Sequence, residues 1–192
     1  MRIKYNAPVT LSFAISATVV MVLAQLLGSD VVSRLFTVPG SSQGLRLVSL
    51  DVFRLVSHVI GHSGWVHLMG NFTFILLIGP ILEEKYGSGP ILIMMLITAF
   101  ATGVLNVLFF PAGLLGASGI VFMLILLISF TNIKAGEIPL TFIFVVLLFL
   151  TKEVISAFEQ NDISEFAHIV GGICGALFGF LFTRRPKAEL QA

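Results

Sequence analysis

An all-helical membrane protein, a bundle of six spanning segments, is the fold class this sequence predicts. Three observations carry that expectation. The chain is 57% hydrophobic and 11% charged, its mean hydropathy is +1.04, and its apolar residues are gathered into runs. A soluble domain carries about a quarter charged residues, so this composition points to a bilayer rather than water as the surrounding solvent. Six apolar runs can be marked, at residues 9–27, 65–82, 90–110, 118–130, 139–150 (extendable to 158) and 166–183. Several approach the roughly 20 residues that a spanning helix needs, and the fourth is visibly shorter.

No stretch outside these runs can bury a core of its own. Residues 1–192 are therefore read as one membrane domain, with its core at about 9–183 and short tails. The first run follows Arg2 and Lys4, but it is long and lacks a small-x-small cleavage site, so it is expected to stay as an anchor. Cys174 lies inside the last run with no mate, which excludes an intrachain disulfide. A net charge of +1 without a basic cluster argues against nucleic acid as a partner. With six spans both ends share a side, and that side holds Arg2, Lys4, Lys85, Lys134, Arg184, Arg185 and Lys187 against Arg34, Arg46, Arg54 and Lys152 opposite. The positive-inside rule then makes both termini cytoplasmic.

Between the first two runs, residues 28–64 form a long connection with an amphipathic middle at 45–60. Long loops are seldom idle, and this one is expected to lie on or partly within the outer leaflet. The second run opens with Trp65, an interface anchor. It places His67 and Asn71 four apart, hence on one helix face. Interhelical hydrogen bonding would account for them, but ionisable groups at that depth are costly and point to function. After the third run, whose main polar residue is Asn106, the apolar segment 111–115 leads to Gly116-Ala117-Ser118-Gly119-Ile120. A dip of this segment into the membrane is tolerated only where protein or a wet cavity covers its backbone.

Ser118 stands at the start of the fourth helix, near unpaired N–H groups and the positive end of the helix dipole. Taken alone, such a small-residue turn is equally served by tight packing. A serine becomes a nucleophile only beside a base, and the chain offers His58, His62, His67 and His168. Ser118, His168 and His67 each precede a charged anchor by sixteen residues (Lys134, Arg184 and Glu83). At about 1.5 Å per residue, each is raised roughly 24 Å above that end. His168, Gly171, Gly175 and Gly179 follow steps of three, four and four, a small-residue ridge on one face of the last helix. If the ridge faces the fourth helix, His168 meets Ser118; if not, it is a packing device alone.

These residues would fill the roles of acyl transfer: Ser118 as nucleophile, His168 as general base and then acid, and His67, Asn71 and the Ser118 N–H as oxyanion donors. No carboxylate accompanies His168, so a dyad is expected. The G-x-S-x-G elbow of soluble hydrolases does not match, because Gly119 follows the serine directly.

Arg54, His62, His67, Asn71, Glu83, Gly116-Ala117-Ser118-Gly119, and Ala167-His168 with Gly171 and Gly175, taken in this order, resemble the rhomboid intramembrane serine proteases over about residues 53–179. The resemblance implies a rhomboid-like six-helix bundle cutting transmembrane segments of single-pass proteins within the lipid bilayer. Ser118 and His168 would be the dyad, His67 and Asn71 would serve the oxyanion, and His62 would help order the first loop. Gly116, Gly119 and Phe122 would support the site. It further implies no metal and no cofactor, residence in a bacterial cell membrane, and a gate formed by the fifth helix and residues 157–165. Two positions depart from the family pattern. Phe53 stands where Trp is frequent, a change of loop packing more than of chemistry. Phe122 stands where bacterial members often carry Tyr, so a ring for stacking remains without its hydroxyl.

Three other readings compete. An inactive rhomboid-like client-binding protein is opposed by the presence of both Ser118 and His168. A zinc protease would show H-E-x-x-H, whereas His62 and His67 are five apart with no glutamate between them. A transporter would show interrupted helices in repeated halves. Natural substrates and oligomeric state are not legible in the sequence.

Overall fold

The computed structural model describes residues 4–28, 30–43, 49–130 and 165–183, with isolated positions at 140, 143–144, 147–148 and 151. Among the described residues the chain is helical: α1 (Pro8–Leu27), α2 (Asp30–Phe36), α3 (Ser49–Ser57), α4 (Trp65–Tyr86), α5 (Ser88–Phe109), α6 (Ser118–Phe130) and α7 (Glu165–Thr183). Helices α1, α4 and α5 are long and apolar enough to cross a membrane, and α6 and α7 are shorter apolar helices. The expected fifth run falls almost wholly outside the described residues, as does the expected gate loop up to Glu165, which opens α7.

The helices begin and end where local chemistry dictates. Pro8 starts α1, where its missing N–H costs nothing. Gly28 ends it at φ +100, a conformation that glycine adopts without penalty. The free N–H groups of a helix start need partners when water is absent, and for two of those of α1 a distant carboxylate supplies them. Glu83 Oε1 accepts from Val9 N–H and Oε2 from Thr10 N–H, each at 2.9 Å. Oε2 also accepts from the Thr10 hydroxyl at 2.8 Å, and Oε1 from the Ser88 hydroxyl at 2.7 Å. One side chain, 4% exposed, thus joins the start of α1, the end of α4 and the start of α5.

Lipid tails are as apolar as leucine, so helix association in a bilayer rests on close packing and polar links more than on hydrophobic transfer. Both are present. A Cβ on Gly79 of α4 would lie 2.7 Å from the Thr10 side chain, so α1 and α4 touch closely there. Helix α6 is the hub. Gly119 to Leu124, Leu126 and Leu127 are all buried, as expected of a helix that is apolar all round. It packs with Ile75 and Leu82 of α4 and with Ile91 and Met94 of α5 in a single cluster.

The long connection carries two helices: α3 lies within the expected amphipathic middle at 45–60, and α2 precedes it. Arg54 holds these together: its Nη1 pairs with Asp51 at 2.7 Å, and its Nε and Nη2 donate to the Arg34 carbonyl. Helix α3 runs beside α5 so closely that a Cβ on Gly103 would lie 2.6 Å from the Leu55 carbonyl oxygen. Gly103 is six residues inside the end of α5, so α3 packs about 9 Å short of that end.

Candidate active site

The segment before Ser118 is irregular, yet its backbone is satisfied. Val38 and Leu114 exchange two antiparallel hydrogen bonds of 2.9 and 3.1 Å, Ser41 N–H reaches the Phe110 carbonyl at 2.7 Å, and Asn106 Nδ2 donates to the Ala112 carbonyl at 3.0 Å. Most of these partners lie in the first loop and on α5, although Pro111, Ala112 and Gly113 themselves are exposed. Gly116 then turns at φ +114, in the region that favours glycine. Its N–H is held by the His58 carbonyl at 3.0 Å. Ser118 follows as the first, half-buried residue of α6.

His67 and Asn71 come to this turn from α4. A Cβ on Gly116 would lie 2.6 Å from His67 Cε1, 2.7 Å from its Nε2 and 3.8 Å from Asn71 Nδ2. Gly116 is therefore needed twice, for its backbone angle and for the space the imidazole occupies. Asn71 is buried, and its Nδ2 has no hydrogen-bond partner among the described residues. A buried amide donor left unused costs about 1–3 kcal/mol, so Asn71 Nδ2 is an available donor beside Gly116. His62 props this pair: its ring stands edge-on to His67 at 4.9 Å and beside Phe72 at 5.7 Å, while its Nδ1–H donates to the Ile60 carbonyl. His62 thus touches the first loop through Ile60 and the site through His67. Ser63 and His67 Nδ1 are 3.1 Å apart.

His168 comes from α7. Its ring is 5% exposed and lies over Phe122, one turn beyond Ser118, with ring centres 4.4 Å apart and a 38° tilt. Phe122 therefore provides the stacking surface. The glycine ridge of α7 faces α6. A side chain on Gly171 would overlap the Gly119 carbonyl, one on Gly175 would overlap the Met123 carbonyl, and one on Gly179 would strike Phe130. In the other direction, a Cβ on Gly119 would lie 3.1 Å from the Ala167 carbonyl oxygen. The main chains of the serine-bearing and histidine-bearing helices thus touch directly beside Ser118. Among the described residues no cluster of three or more His, Cys, Asp or Glu side chains suits a metal ion.

Sequence reasoning gave His58 no role. It is the most buried histidine, 1% exposed, and its main-chain carbonyl anchors Gly116. Its Nδ1 lies 3.2 Å from the Arg54 carbonyl, which can only accept, so the proton sits there and Nε2 is left to meet the Thr102 hydroxyl at 3.3 Å. Two spacings in steps of four were the available signals: Arg54, His58, His62 in the loop and Thr98, Thr102, Asn106 on α5.

Burial lowers His58 from 6.5 to about 4 and, with the neighbouring His67 as a second cause, His62 to about 4 as well. Both rings are neutral in the folded protein near pH 7. Below pH 6.5 the unfolded chain takes up protons that the folded chain refuses. The stability tied to His58 is therefore complete above about pH 6.5, falls as pH drops toward 4, and levels off below. The loss should be on the order of 3 kcal/mol over that window. Denaturation midpoints followed from pH 7 downward should show it, and a His58→Gln curve should be flatter; parallel curves would disprove the assignment.

Residues 49–185 match the family model described as Rhomboid domain. The chain is 29% identical over 188 residues to the rhomboid protease GlpG of Serratia proteamaculans, covering 96% of this chain and 66% of that protein. It is 32% identical over 145 residues to RHOMBOID-like protein 1 of Arabidopsis thaliana (71% of this chain, 36% of that protein) and 26% identical over 145 residues to the GlpG of Haemophilus influenzae (73% and 75%). It spans just under two thirds of the Serratia relative and about a third of the Arabidopsis one. With its apolar helices and a family match over most of its length, the chain is an integral membrane protein and belongs to the rhomboid family.

Proposed function

We propose that this chain is an intramembrane serine endopeptidase with Ser118 and His168 as its dyad. The observation that carries the reading is the convergence at the start of α6. His67 and the unused Asn71 Nδ2 crowd Gly116 on one side of Ser118, and His168 stacks on Phe122 one turn beyond it. In this reading the Ser118 hydroxyl adds to a peptide carbonyl while His168 takes its proton. The resulting oxyanion is met by His67, Asn71 and the Ser118 N–H. His168 returns the proton to the departing amine, leaving an ester on Ser118. Water, activated by the same imidazole, then hydrolyses the ester and releases the new carboxyl end. No step calls for a metal or a cofactor.

The finer topology belongs to the same proposal: six spans with residues 139–150 as the fifth, both termini cytoplasmic in a bacterial cell membrane, and single-pass membrane proteins as substrates. The protease reading is supported by the two relatives that are rhomboid proteases.

The deciding experiment is covalent labelling of purified protein in lipid by a serine-directed phosphonylating reagent. We expect one adduct, on Ser118, that is lost in His168→Ala. Absence of an adduct on a folded protein would favour a rhomboid-like binder of membrane clients. Asn71→Ala should lower turnover by roughly 10- to 1000-fold with little change in KM, as removal of one oxyanion donor does. An unchanged turnover would remove Asn71 from the site.

A further inference from the structure

A cavity of about 870 Å³ opens between α1, α3 and α5. Its walls are the Pro8–Ser16 half of α1 and the Ser88–Ala99 half of α5; α3 covers its top and Ile120 forms its back. From Ser88 to Ala99 is eleven residues, a rise of about 16 Å. That is about half of a hydrocarbon core of roughly 30 Å, so the groove is one leaflet deep.

The lining is mostly apolar, and three of its four serine hydroxyls are engaged, which leaves Ser16 as a single polar group. Ser12 bonds the Tyr5 hydroxyl, Ser57 donates to the Leu35 carbonyl and Ser88 to Glu83. Nothing there calls for water, which needs two to four polar partners, or for a polar ligand. Leu92 and Leu96 at the mouth are 44% and 45% exposed and run into Ile93 and Ile97 on the same helix. The groove is thus continuous with the surface that α5 turns toward lipid. A spanning substrate helix, about 10–12 Å wide, cannot pass through it, because α3 closes the upper end. Empty space against hydrocarbon would forfeit the dispersion contacts of every lining atom.

We propose that the groove holds an acyl chain of a membrane phospholipid from the leaflet at the Glu83–Ser88 end, which props α3 from beneath. Because His58, just beyond α3, anchors Gly116, the occupant also supports the turn before Ser118.

The test uses the full chain in phosphatidylcholine vesicles containing a trace of phosphatidylcholine with a diazirine in its tail, photolysed and mapped by mass spectrometry. Adducts at Phe13, Val56 and Met95 should exceed those at Leu177 and Leu181, on the exposed side of α7, by about tenfold, the equivalent of two buried methylenes. Plugging the groove with Ser16→Trp, or its mouth with Leu92→Trp, should remove that excess and leave α7 labelling unchanged. Equal labelling of the two faces, an excess that survives both plugs, or displacement of the label by a transmembrane peptide would overturn the proposal. The same pattern is expected in Ser118→Ala, so the result is independent of catalysis.

Discussion

Exchange of Ser118 for alanine is expected to reduce cleavage of a transmembrane substrate by on the order of 10⁴- to 10⁶-fold, and His168→Ala should do nearly as much. The two side chains act in one step, the addition of a hydroxyl to a carbonyl with simultaneous transfer of its proton. Neither has value without the other, so the double variant should be no slower than either single one. The folded state should be indifferent to Ser118→Ala, since that side chain is small and half-buried. His168→Ala also removes a buried ring stacked on Phe122 and should cost some stability, while the glycine and main-chain contact of α6 with α7 remains. Cleavage rates and denaturation midpoints measured on the same preparations separate the two effects. Full activity in Ser118→Ala, or addition of the two losses, would refute the dyad. Chelator should leave the wild-type rate unchanged.

The largest expected effect on stability lies at the other end of the bundle. Glu83 accepts four hydrogen bonds from three residues on two other helices, and a carboxylate acceptor makes each stronger than a neutral one. In Glu83→Ala two main-chain N–H groups and two hydroxyls lose their acceptor in a setting where water is scarce. Each orphaned donor costs about 1–3 kcal/mol, and the hydroxyls can turn to other acceptors while the N–H groups cannot. A loss on the order of 3–5 kcal/mol is expected. Glu83→Gln keeps one acceptor oxygen and should recover part of it. Denaturation of the purified protein by SDS in mixed micelles measures this directly. A midpoint unmoved by Glu83→Ala would mean that the start of α1 contributes nothing to the bundle.

Residue identity and period were enough to anticipate much of this arrangement. The pitch of Gly171, Gly175 and Gly179 is a side-chain pattern, and it faces α6 as a small-residue ridge can. The start of α6 could be read to the residue, because a turn of small residues meets an apolar run there. What stayed hidden works through the main chain or across long separations. His58 anchors Gly116 by a carbonyl that every residue owns, so nothing in its letter announces it. The Val38–Leu114 pairing is likewise blind to side-chain identity. Of the two loop helices only α3 fell within the amphipathic middle at 45–60, and the Arg54 bonds that tie it to α2 join residues 20 apart. Glu83 could be seen as polar at a helix end, but its partners on α1 lie more than 70 residues earlier.

The seating of α7 against α6 has a consequence for the newborn chain. On the dyad reading, the imidazole is carried by the final described helix, so a nascent polypeptide still threading into the bilayer holds its hydroxyl without its base. Catalytic competence would then switch on only when the last helix is delivered. Neighbouring proteins sharing the same insertion machinery would be safe from premature cutting.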